Sequence, residues 1–370
     1  MGRARSSVVN KSKRLWGSDP LVVRTKVAKT AAGHVRRGLA PTSIDSYASA
    51  RRSWELFCEL TDRVPVYPAD EDGLMQFAAW SALRVCADSI RAYITGIRSL
   101  HIELQLPLPS SAEMNLLRRC LNGIDYALRP NKLGELRMPI TFAVLLAMHD
   151  LFDTWTWSDV YDLPESPIML AAVFDLAFFT AARPSEIAVR HTSVGWSVPL
   201  AFRNLGFWAP SAKSGTIDGA MLGLDKMKND QTGADSTMVF GRSGHARVCA
   251  VSSLLRWLRA REAAGEVLSD SSLLFPVRDK KSGALVPLNY AAFAGSIKRT
   301  LDLAGYPQPL KHCGFSFRVG AATTMAENDV SPALIMAVGR WRSDCWKRYV
   351  RSSDDKRAST ASLMVVQQSR

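Results

Sequence analysis

The sequence has few cysteines and no long hydrophobic run. Its six cysteines are scattered without a C-x-x-C pair, which argues against a zinc site and a disulfide framework and fits a reducing compartment. No uninterrupted apolar run approaches the roughly 20 residues of a membrane-spanning helix. Met1–Arg14 has no apolar core of a signal peptide. These features predict an intracellular protein.

Acidic residues are outnumbered by basic ones. The chain has 47 Lys and Arg against 34 Asp and Glu, a net charge of +13 and a pI near 9.7. This balance predicts a polyanionic partner, nucleic acid first and an anionic membrane second. Residues 1–40 hold ten of the cations against one acid, Asp19. We expect a flexible basic arm that lies along phosphates or acts as an import signal, with a solvated tail as the alternative.

Residues 41–128 are predicted to form a small helical domain. Helical spacing of apolar residues covers residues 41–58, 70–83, 89–104 and 111–128. In the third of these helices Arg91, Thr95 and Arg98 form a polar stripe, which is either a DNA-facing surface or a solvated face. Residues 129–138, broken by Pro130 and Gly134, are predicted to be a linker.

Residues 139–351 are predicted to form a second domain, followed by a tail over 352–370. Its pattern indicates helices over 139–150, 167–181, 251–264 and 290–303. Alternation over 219–242 predicts a β-hairpin with Lys228 at its tip. The expected fold is therefore mainly α-helical with a small antiparallel β-sheet.

Arg318, Trp341 and Tyr349 follow one another in two neighbouring segments near the C-terminus, His312-Cys-Gly-Phe-Ser-Phe-Arg318 and Gly339-Arg-Trp-Arg-Ser-Asp-Cys-Trp-Lys-Arg-Tyr349. A tyrosine among cations can attack a phosphodiester, because the cations stabilise both phenolate and phosphate. The alternative is an amphipathic C-terminal helix whose Tyr and Trp belong to the core.

Arg183 adds a further cation, at a turn after a very apolar helix. Pro184 is placed to begin the next helix, with Glu186 in its first turn. Such an arginine either complements the C-terminal dipole of the preceding helix or faces an anion. Ser331-Pro332 predicts a helix start and Gly339 a helix stop, so the chain turns before Trp341.

Together these segments resemble the tyrosine recombinase (phage-integrase) family. Within this family, the sequence motifs near the site are most similar to those of the recombinases of DIRS-type retrotransposons and Crypton elements. The similar segments are Lys228-Asn-Asp-Gln-Thr-Gly233, Ser316-Phe-Arg-Val-Gly-Ala-Ala-Thr323 and Gly339-Arg-Trp-Arg-Ser-Asp344. The resemblance implies a helical, SAM-like core-binding domain followed by an α+β catalytic domain.

The resemblance also implies a chemistry. Tyr349 would attack a DNA phosphate and form a 3′-phosphotyrosine link, which a 5′-hydroxyl from a partner duplex would resolve. Arg183 and Arg318 would clamp the phosphate, Lys228 would protonate the leaving oxygen, and Trp341 would donate from its indole N–H. Neither a metal nor another cofactor is required. The implied assembly is a tetramer on synapsed double-stranded DNA, in the nucleus if the host is eukaryotic and without a membrane partner. The apolar run 361–366 would dock on a neighbour or on its own domain.

Phe315 departs from the family pattern. The family usually has histidine three residues before the second arginine, and phenylalanine cannot donate to a phosphate. His312 would need a rearranged turn to replace it.

The sequence leaves three candidate functions: a strand-exchange enzyme of a mobile element or virus, a DNA-binding protein that keeps the arginine clamp but does not cut, and a type IB topoisomerase-like relaxase. Phe315 is the sequence evidence for the second.

Overall fold

The computed structural model describes residues 19–351 except 109, 111, 129–136, 155–165, 193–194, 197, 209–216, 225–236 and 280. The chain divides into two compact units, residues 1–131 with 192–194, and residues 132–191 with 195–370. Each unit has a hydrophobic core of its own. None of the described helices is both long and apolar enough to cross a bilayer.

The first unit is helical in its described part. Its helices are α1 (Pro20–Arg37), α2 (Pro41–Leu60), α3 (Glu71–Ala82), α4 (Ala87–Glu103) and α5 (Asn115–Ala127). Trp54 and Phe57 of α2 and Phe77 of α3 centre the core, with ring centroids 5.4–5.6 Å apart. Asp70 caps α3 by accepting a hydrogen bond from Gly73 N at 2.7 Å. The four helices predicted for this unit are present with shifted ends.

Helix α1 lies within residues 1–40, for which a flexible basic arm was expected; residues 1–18 of that arm lie outside the described residues. Pro20 occupies the first helical position, and the Asp19 carboxylate accepts a hydrogen bond from Leu21 N at 2.8 Å. Ala, Lys and Arg, which favour helix, make up much of the segment, so local propensity forms α1 without a strong apolar stripe. Most of its described side chains are exposed.

The second unit is built around one fully buried helix. In chain order it begins with α6 (Phe142–Thr154), α7 (Pro167–Phe179) and the single-turn helix α8 (Pro184–Ile187). Nearly all side chains of α7 are buried, so this helix forms the centre of the core. Helices α9 (Ala250–Ala263), α10 (Tyr290–Leu303), α11 (Gly314–Glu327) and α12 (Pro332–Gly339) follow. The chain continues into a 3₁₀ turn, Asp344–Arg348, directly before Tyr349.

The β-structure of the second unit is small and antiparallel. Strands β1 (His191–Thr192) and β2 (Gly195–Trp196) form one pair, and β6 (Pro276–Arg278) and β7 (Leu285–Pro287) form another. Between them lies a three-stranded sheet of β3 (Leu205–Trp208), β4 (Gly219–Gly223) and β5 (Thr237–Gly241) in the order β3-β4-β5. Ala220 pairs with Phe240 and Leu222 with Met238. The predicted hairpin strands are therefore present and β3 is an addition; Lys228 and the turn 229–233 lie outside the described residues.

A buried polar network ties three helices of this unit together. The Asp175 carboxylate of α7 contacts His149 Nε2 of α6 at 2.8 Å and accepts from Ser253 Oγ of α9 at 2.7 Å and Cys249 N at 3.1 Å. All three side chains are buried, and both carboxylate oxygens have partners. The network fixes α7, whose C-terminal end leads into the candidate site.

Candidate active site

Arg183 lies where the chain leaves α7 and enters α8. Ala182 N donates to Ala177 O and Ala181 N donates to Phe178 O, both at 3.0 Å, which is a Schellman ending with alanine where glycine is usual. Ala181 accordingly has a left-handed φ of 45°. Pro184 is the first residue of α8, and Glu186 Oε2 accepts from Arg183 N at 2.7 Å. The predicted turn and helix start are both present.

Arg318 approaches the same place from helix α11. The residue is 1% exposed, and its two terminal nitrogens donate to Ala181 O and Gly339 O. Helix α11 lies unusually close to the chain before α6, because a Cβ on Gly320 would come 1.7 Å from Ile140 O. Arg318 therefore joins the C-terminal end of α7 to that of α12, where backbone carbonyls carry partial negative charge.

The turn after α12 presents Trp341. Ser331 caps the helix start by accepting from Leu334 N at 3.4 Å, and the helix ends at Gly339, as predicted. A Cβ on Gly339 would lie 1.8 Å from Trp341 Cζ3, so only glycine lets the indole fold back here. The left-handed residue is Arg340, with φ 55°.

Trp341 and Tyr349 form an aromatic wall beside Arg318. Their ring centroids are 5.5 Å apart, and the Arg318 guanidinium carbon lies 4.0 Å from the Trp341 centroid and 5.5 Å from that of Tyr349. Thr323 Oγ1 of α11 donates to Tyr349 O at 3.4 Å and accepts from Arg351 N at 2.9 Å. Ser343 precedes the 3₁₀ turn without capping it by its side chain, and Asp344, the first residue of the turn, pairs with Lys347 Nζ at 2.6 Å.

Glu186 and Arg340 complete the cluster and were not among the residues predicted for it. Glu186 Oε1 accepts from Arg183 Nη1 and Glu186 Oε2 from Arg340 Nη2, both at 2.7 Å. Arg340 Nη1 also donates to Thr180 O at 3.1 Å and Val338 O at 2.9 Å. Glu186 was noted only as a residue of the first turn of α8. In the sequence, Arg340 is distinguished by its position directly after Gly339, the glycine that ends the helix.

Burial shifts the ionisation of these groups. Burial, followed by the positive charge of Arg183, lowers the pKa of Arg318 to about 10. Burial also lowers the pKa of Arg340, against the opposing effect of Glu186. For Glu186 burial acts to raise the pKa, but the charge of Arg340 and the hydrogen bonds and charge of Arg183 outweigh it, so the pKa lies below its usual range.

The cluster has more positive charge and more hydrogen-bond donors than its own groups satisfy. Three largely buried guanidinium groups face one carboxylate, so among the described residues two positive charges are offset only by the partial charges of the two helix ends. Arg318 Nε, Arg340 Nε and Trp341 Nε1 are buried and make no hydrogen bond within the described part of the chain. Buried donors without acceptors are rare and call for an explanation. An anion with several acceptor oxygens would match both the charge and the donors of this cluster.

Comparison with known proteins gives one curated sequence relative and several solved structures. No protein-family model matches the chain. An integrase/recombinase xerD homolog of Selenomonas ruminantium is 22% identical over 320 residues, which cover 86% of this chain and 84% of the homolog. The XerH site-specific recombinase in a post-cleavage complex with a palindromic difH substrate superposes with a TM-score of 0.55 at 16% identity, over 86% of this chain and 79% of that one. The chain has the tyrosine recombinase fold. The xerD homolog supports the same family, tyrosine recombinases and integrases, from the sequence.

The position that the tyrosine recombinase pattern gives to histidine is occupied by an aromatic ring with a cation above it. Phe315 is half-buried in the first turn of α11, and the Arg137 guanidinium carbon lies 5.6 Å from its ring centroid. His312 is buried; its Nδ1 contacts Gln308 O at 3.3 Å and its Nε2 makes no hydrogen bond among the described residues. Burial lowers the pKa of His312.

Of the five catalytic residues predicted from the recombinase resemblance, four lie in the second unit and within the described chain. Arg318, Trp341 and Tyr349 are mutual neighbours, and Arg183 joins them through Glu186 and Arg340. The fifth, Lys228, lies outside the described residues. No group of histidines, cysteines and carboxylates that could hold a metal ion is found where the structure is described.

The predicted DNA-binding stripe lies in the first unit. Thr95 is exposed, and its Oγ1 donates to Arg91 O at 2.9 Å. Arg91 pairs with Asp125 of α5 at 3.6 Å. Arg98 lies beside Met114, with Nη1 at 3.7 Å from its sulfur. Arg91 and Arg98 share a cavity of about 190 Å³ between α4 and α5. Thr95 is the exposed member of the three, and Arg91 and Arg98 are half-buried.

Proposed function

We propose that this protein is a site-specific DNA recombinase that breaks and rejoins strands through a 3′-phosphotyrosine link at Tyr349. The observation that carries the proposal is the buried cluster beside Tyr349, which, among the described residues, has two excess positive charges and three donors without acceptors. A phosphodiester supplies both the negative charge and the acceptor oxygens that such a cluster needs.

The proposed reaction is the one that the family resemblance implies. The Tyr349 phenol loses its proton to solvent as its oxygen attacks phosphorus, the bond from phosphorus to the 5′ oxygen breaks, and the 5′ oxygen accepts a proton and leaves as a hydroxyl. Arg183 and Arg318 stabilise the charge that develops on the non-bridging oxygens, and the Trp341 N–H is a further donor to them. Lys228 is the proposed proton donor to the leaving oxygen. A 5′-hydroxyl of a second duplex then attacks the phosphotyrosine and releases Tyr349.

The proposed setting of the reaction rests on the sequence around the site and on the net charge. The sequence around Lys228, Arg318 and Trp341 resembles that of DIRS-type and Crypton recombinases, which supports a mobile element or virus as the origin of this protein. In a eukaryotic host we expect it to act in the nucleus. We propose a tetramer on two synapsed duplexes, because strand exchange needs four cleavages. Double-stranded DNA as the partner is consistent with the net charge of +13.

A DNA-binding protein that no longer cuts is the second candidate. It is favoured by Phe315, whose ring under Arg137 supplies no donor to a phosphate. In this alternative the arginine cluster still holds a backbone phosphate, but the transition state lacks one of the donors of the family.

Covalent trapping distinguishes the candidates. Binding sites are selected from a pool of random duplexes and nicked at successive positions, so that cleavage next to the nick releases a short fragment and cannot reverse. We expect the wild-type protein to form an adduct that survives denaturation and Tyr349→Phe to form none, because phenylalanine has no nucleophilic oxygen.

The matched control is Tyr126→Phe, at an exposed tyrosine of the first unit, which should react like the wild type. DNA binding with no adduct from either the wild type or the control would favour the binding-only candidate. Relaxation of supercoiled plasmid without site preference would favour a topoisomerase-like relaxase.

A further inference from the structure

We infer that Arg340 is a positioning residue that fixes Arg183 relative to Arg318, an inference that rests on the proposed function. Arg183 enters the cluster from the turn between α7 and α8, and Arg318 enters from α11. No direct hydrogen bond joins the two guanidinium groups, which repel each other. Their relative position therefore depends on what lies between them.

Arg340 shares a carboxylate with Arg183. Glu186 has one oxygen at 2.7 Å from Arg183 Nη1 and the other at 2.7 Å from Arg340 Nη2. Both bonds are charge-assisted and fix the plane of the carboxylate. Without Arg340, Glu186 would be free to turn both oxygens to Arg183 and to draw it away from a phosphate.

Arg340 shares two helix ends with Arg318. Arg318 donates to Ala181 O and Gly339 O, and Arg340 donates to the adjacent carbonyls Thr180 O and Val338 O. The two side chains therefore join the same C-terminal ends of α7 and α12 twice. Two parallel connections restrict rotation between the helices, which a single connection allows. Arg340 thus links the anchor of Arg183 to the anchor of Arg318.

The backbone at Arg340 indicates that the side chain is required there. Its φ of 55° is left-handed, a conformation that costs any residue with a Cβ and that glycine adopts freely. A glycine at position 340 would end the helix at less steric cost. An arginine where glycine would be less strained is consistent with a role for its side chain, whose three hydrogen bonds include the ion pair with Glu186.

The test separates chemistry from DNA affinity and from folding. Arg340→Gly suits the backbone and removes only the side chain, so it is the variant to compare. In single-turnover cleavage of the nicked duplex at saturating protein, we expect adduct formation to slow about 10- to 100-fold. The reason is that the Arg183 and Arg318 guanidinium groups would no longer be held at fixed positions around the phosphate. Affinity for the same duplex should stay within about threefold, since many other contacts hold the DNA.

The matched control is Arg342→Gly, which removes an exposed neighbouring cation and should cleave like the wild type. Rates equal to wild type in Arg340→Gly would overturn the inference. A rate that falls only as much as the folded fraction at the assay temperature would also overturn it. If Arg340→Gly does not fold, Arg340→Lys decides, because lysine can pair with Glu186 without reaching both helix ends. An intermediate rate supports the inference, and a wild-type rate contradicts it.

Binding of inorganic phosphate keeps this test separate from that of the proposed function. Measured by calorimetry on the DNA-free protein, phosphate affinity should fall about tenfold in Arg340→Gly and remain unchanged in Arg342→Gly. If the wild type forms no adduct but shows this difference, the proposed cleavage is wrong and the positioning role stands. A wild-type protein that neither binds phosphate nor forms the adduct would overturn both.

Discussion

Among individual side chains, Glu186 has the widest influence on the cluster. Its carboxylate is buried, yet it stays ionised because two arginines bind it. Removing one partner of a buried charge network leaves the other charges uncompensated, which usually costs about 3–5 kcal/mol. Stability of the second unit therefore depends on the ionisation of a single acid.

We expect Glu186→Gln to lower the free energy of unfolding by about 3–5 kcal/mol at pH 7, and by less as the solution becomes acidic. The pKa of Glu186 is lowered on folding, so its contribution is complete above the pKa of the unfolded chain and is lost as pH falls through the folded value. Urea unfolding from pH 7 to pH 3.5 measures the difference between wild type and variant.

The control for this titration is Glu262→Gln, at an exposed position of α9, where the difference should stay within about 0.5 kcal/mol. A wild-type–variant difference for Glu186→Gln that does not narrow below about pH 4 would contradict the assignment of an ionised, paired Glu186.

Among the helices, the close approach of α11 to the chain before α6 sets the position of Arg318. Ile140 N donates to Ser316 O at 2.9 Å, and Gly320 faces the Ile140 carbonyl with no room for a side chain. Gly320 is therefore a contact point rather than a flexible one. Moving α11 outward would carry Arg318 away from Ala181 O.

Gly320→Ala should destabilise the second unit by about 3 kcal/mol, since its Cβ would meet Ile140 O at 1.7 Å and the backbone must shift. Thermal or urea unfolding measures the loss. Gly295→Ala in α10 is the matched control: no atom lies within 4 Å of its new Cβ, and it should gain about 0.5–1 kcal/mol from helix propensity. Equal effects of the two substitutions on the free energy of unfolding would show that a Cβ fits between α11 and Ile140 without a backbone shift.

Local sequence patterns predicted most of the helices, and they failed where contacts with residues elsewhere in the chain determine the structure. Periodicity and flanking residues gave Tyr290–Leu303 with both ends correct, and Pro184 and Gly339 marked their turns. Helix α5 begins at Asn115 rather than Ser111, because residues 112–113 form a turn closed by Glu113 and Ser110. Strand β3 is too short to show alternation and depends on pairing with β4.

The candidate site shows the same limit. Arg318, Trp341 and Tyr349 were predictable as a group because they are near in sequence and match a known pattern. The Glu186–Arg340 pair joins residues 154 positions apart, and neither left-handed residue of the site, Ala181 or Arg340, is the glycine that would have signalled it. Tertiary contacts place these groups, and no local rule contains them.

The whole chain is organised as two units with separate cores, so we expect damage to one core to stay local. Phe77→Ala should destabilise the first unit by about 3–5 kcal/mol. Hydrogen exchange, read by mass spectrometry, should show lost protection in α2–α5 and unchanged protection in α7 and α9. Phe174→Ala in α7 is the reciprocal test, in which protection should be lost in the second unit and unchanged in α2–α5. Loss of protection in both units from either substitution would contradict independent stability.

The unpaired donors around Arg318 have a consequence for how readily the protein engages its target. Stripping water from three cations is unfavourable, and here folding has already removed most of it: Arg318 is 1% exposed, and the Arg183 and Arg340 side chains are 12% and 10% exposed. An anion that binds there faces cations whose hydration is already mostly lost, so its own hydration is the larger remaining cost. Crowding three cations around one carboxylate also costs stability, so substitutions that stabilise the fold would tend to accumulate at this cluster at the expense of anion binding.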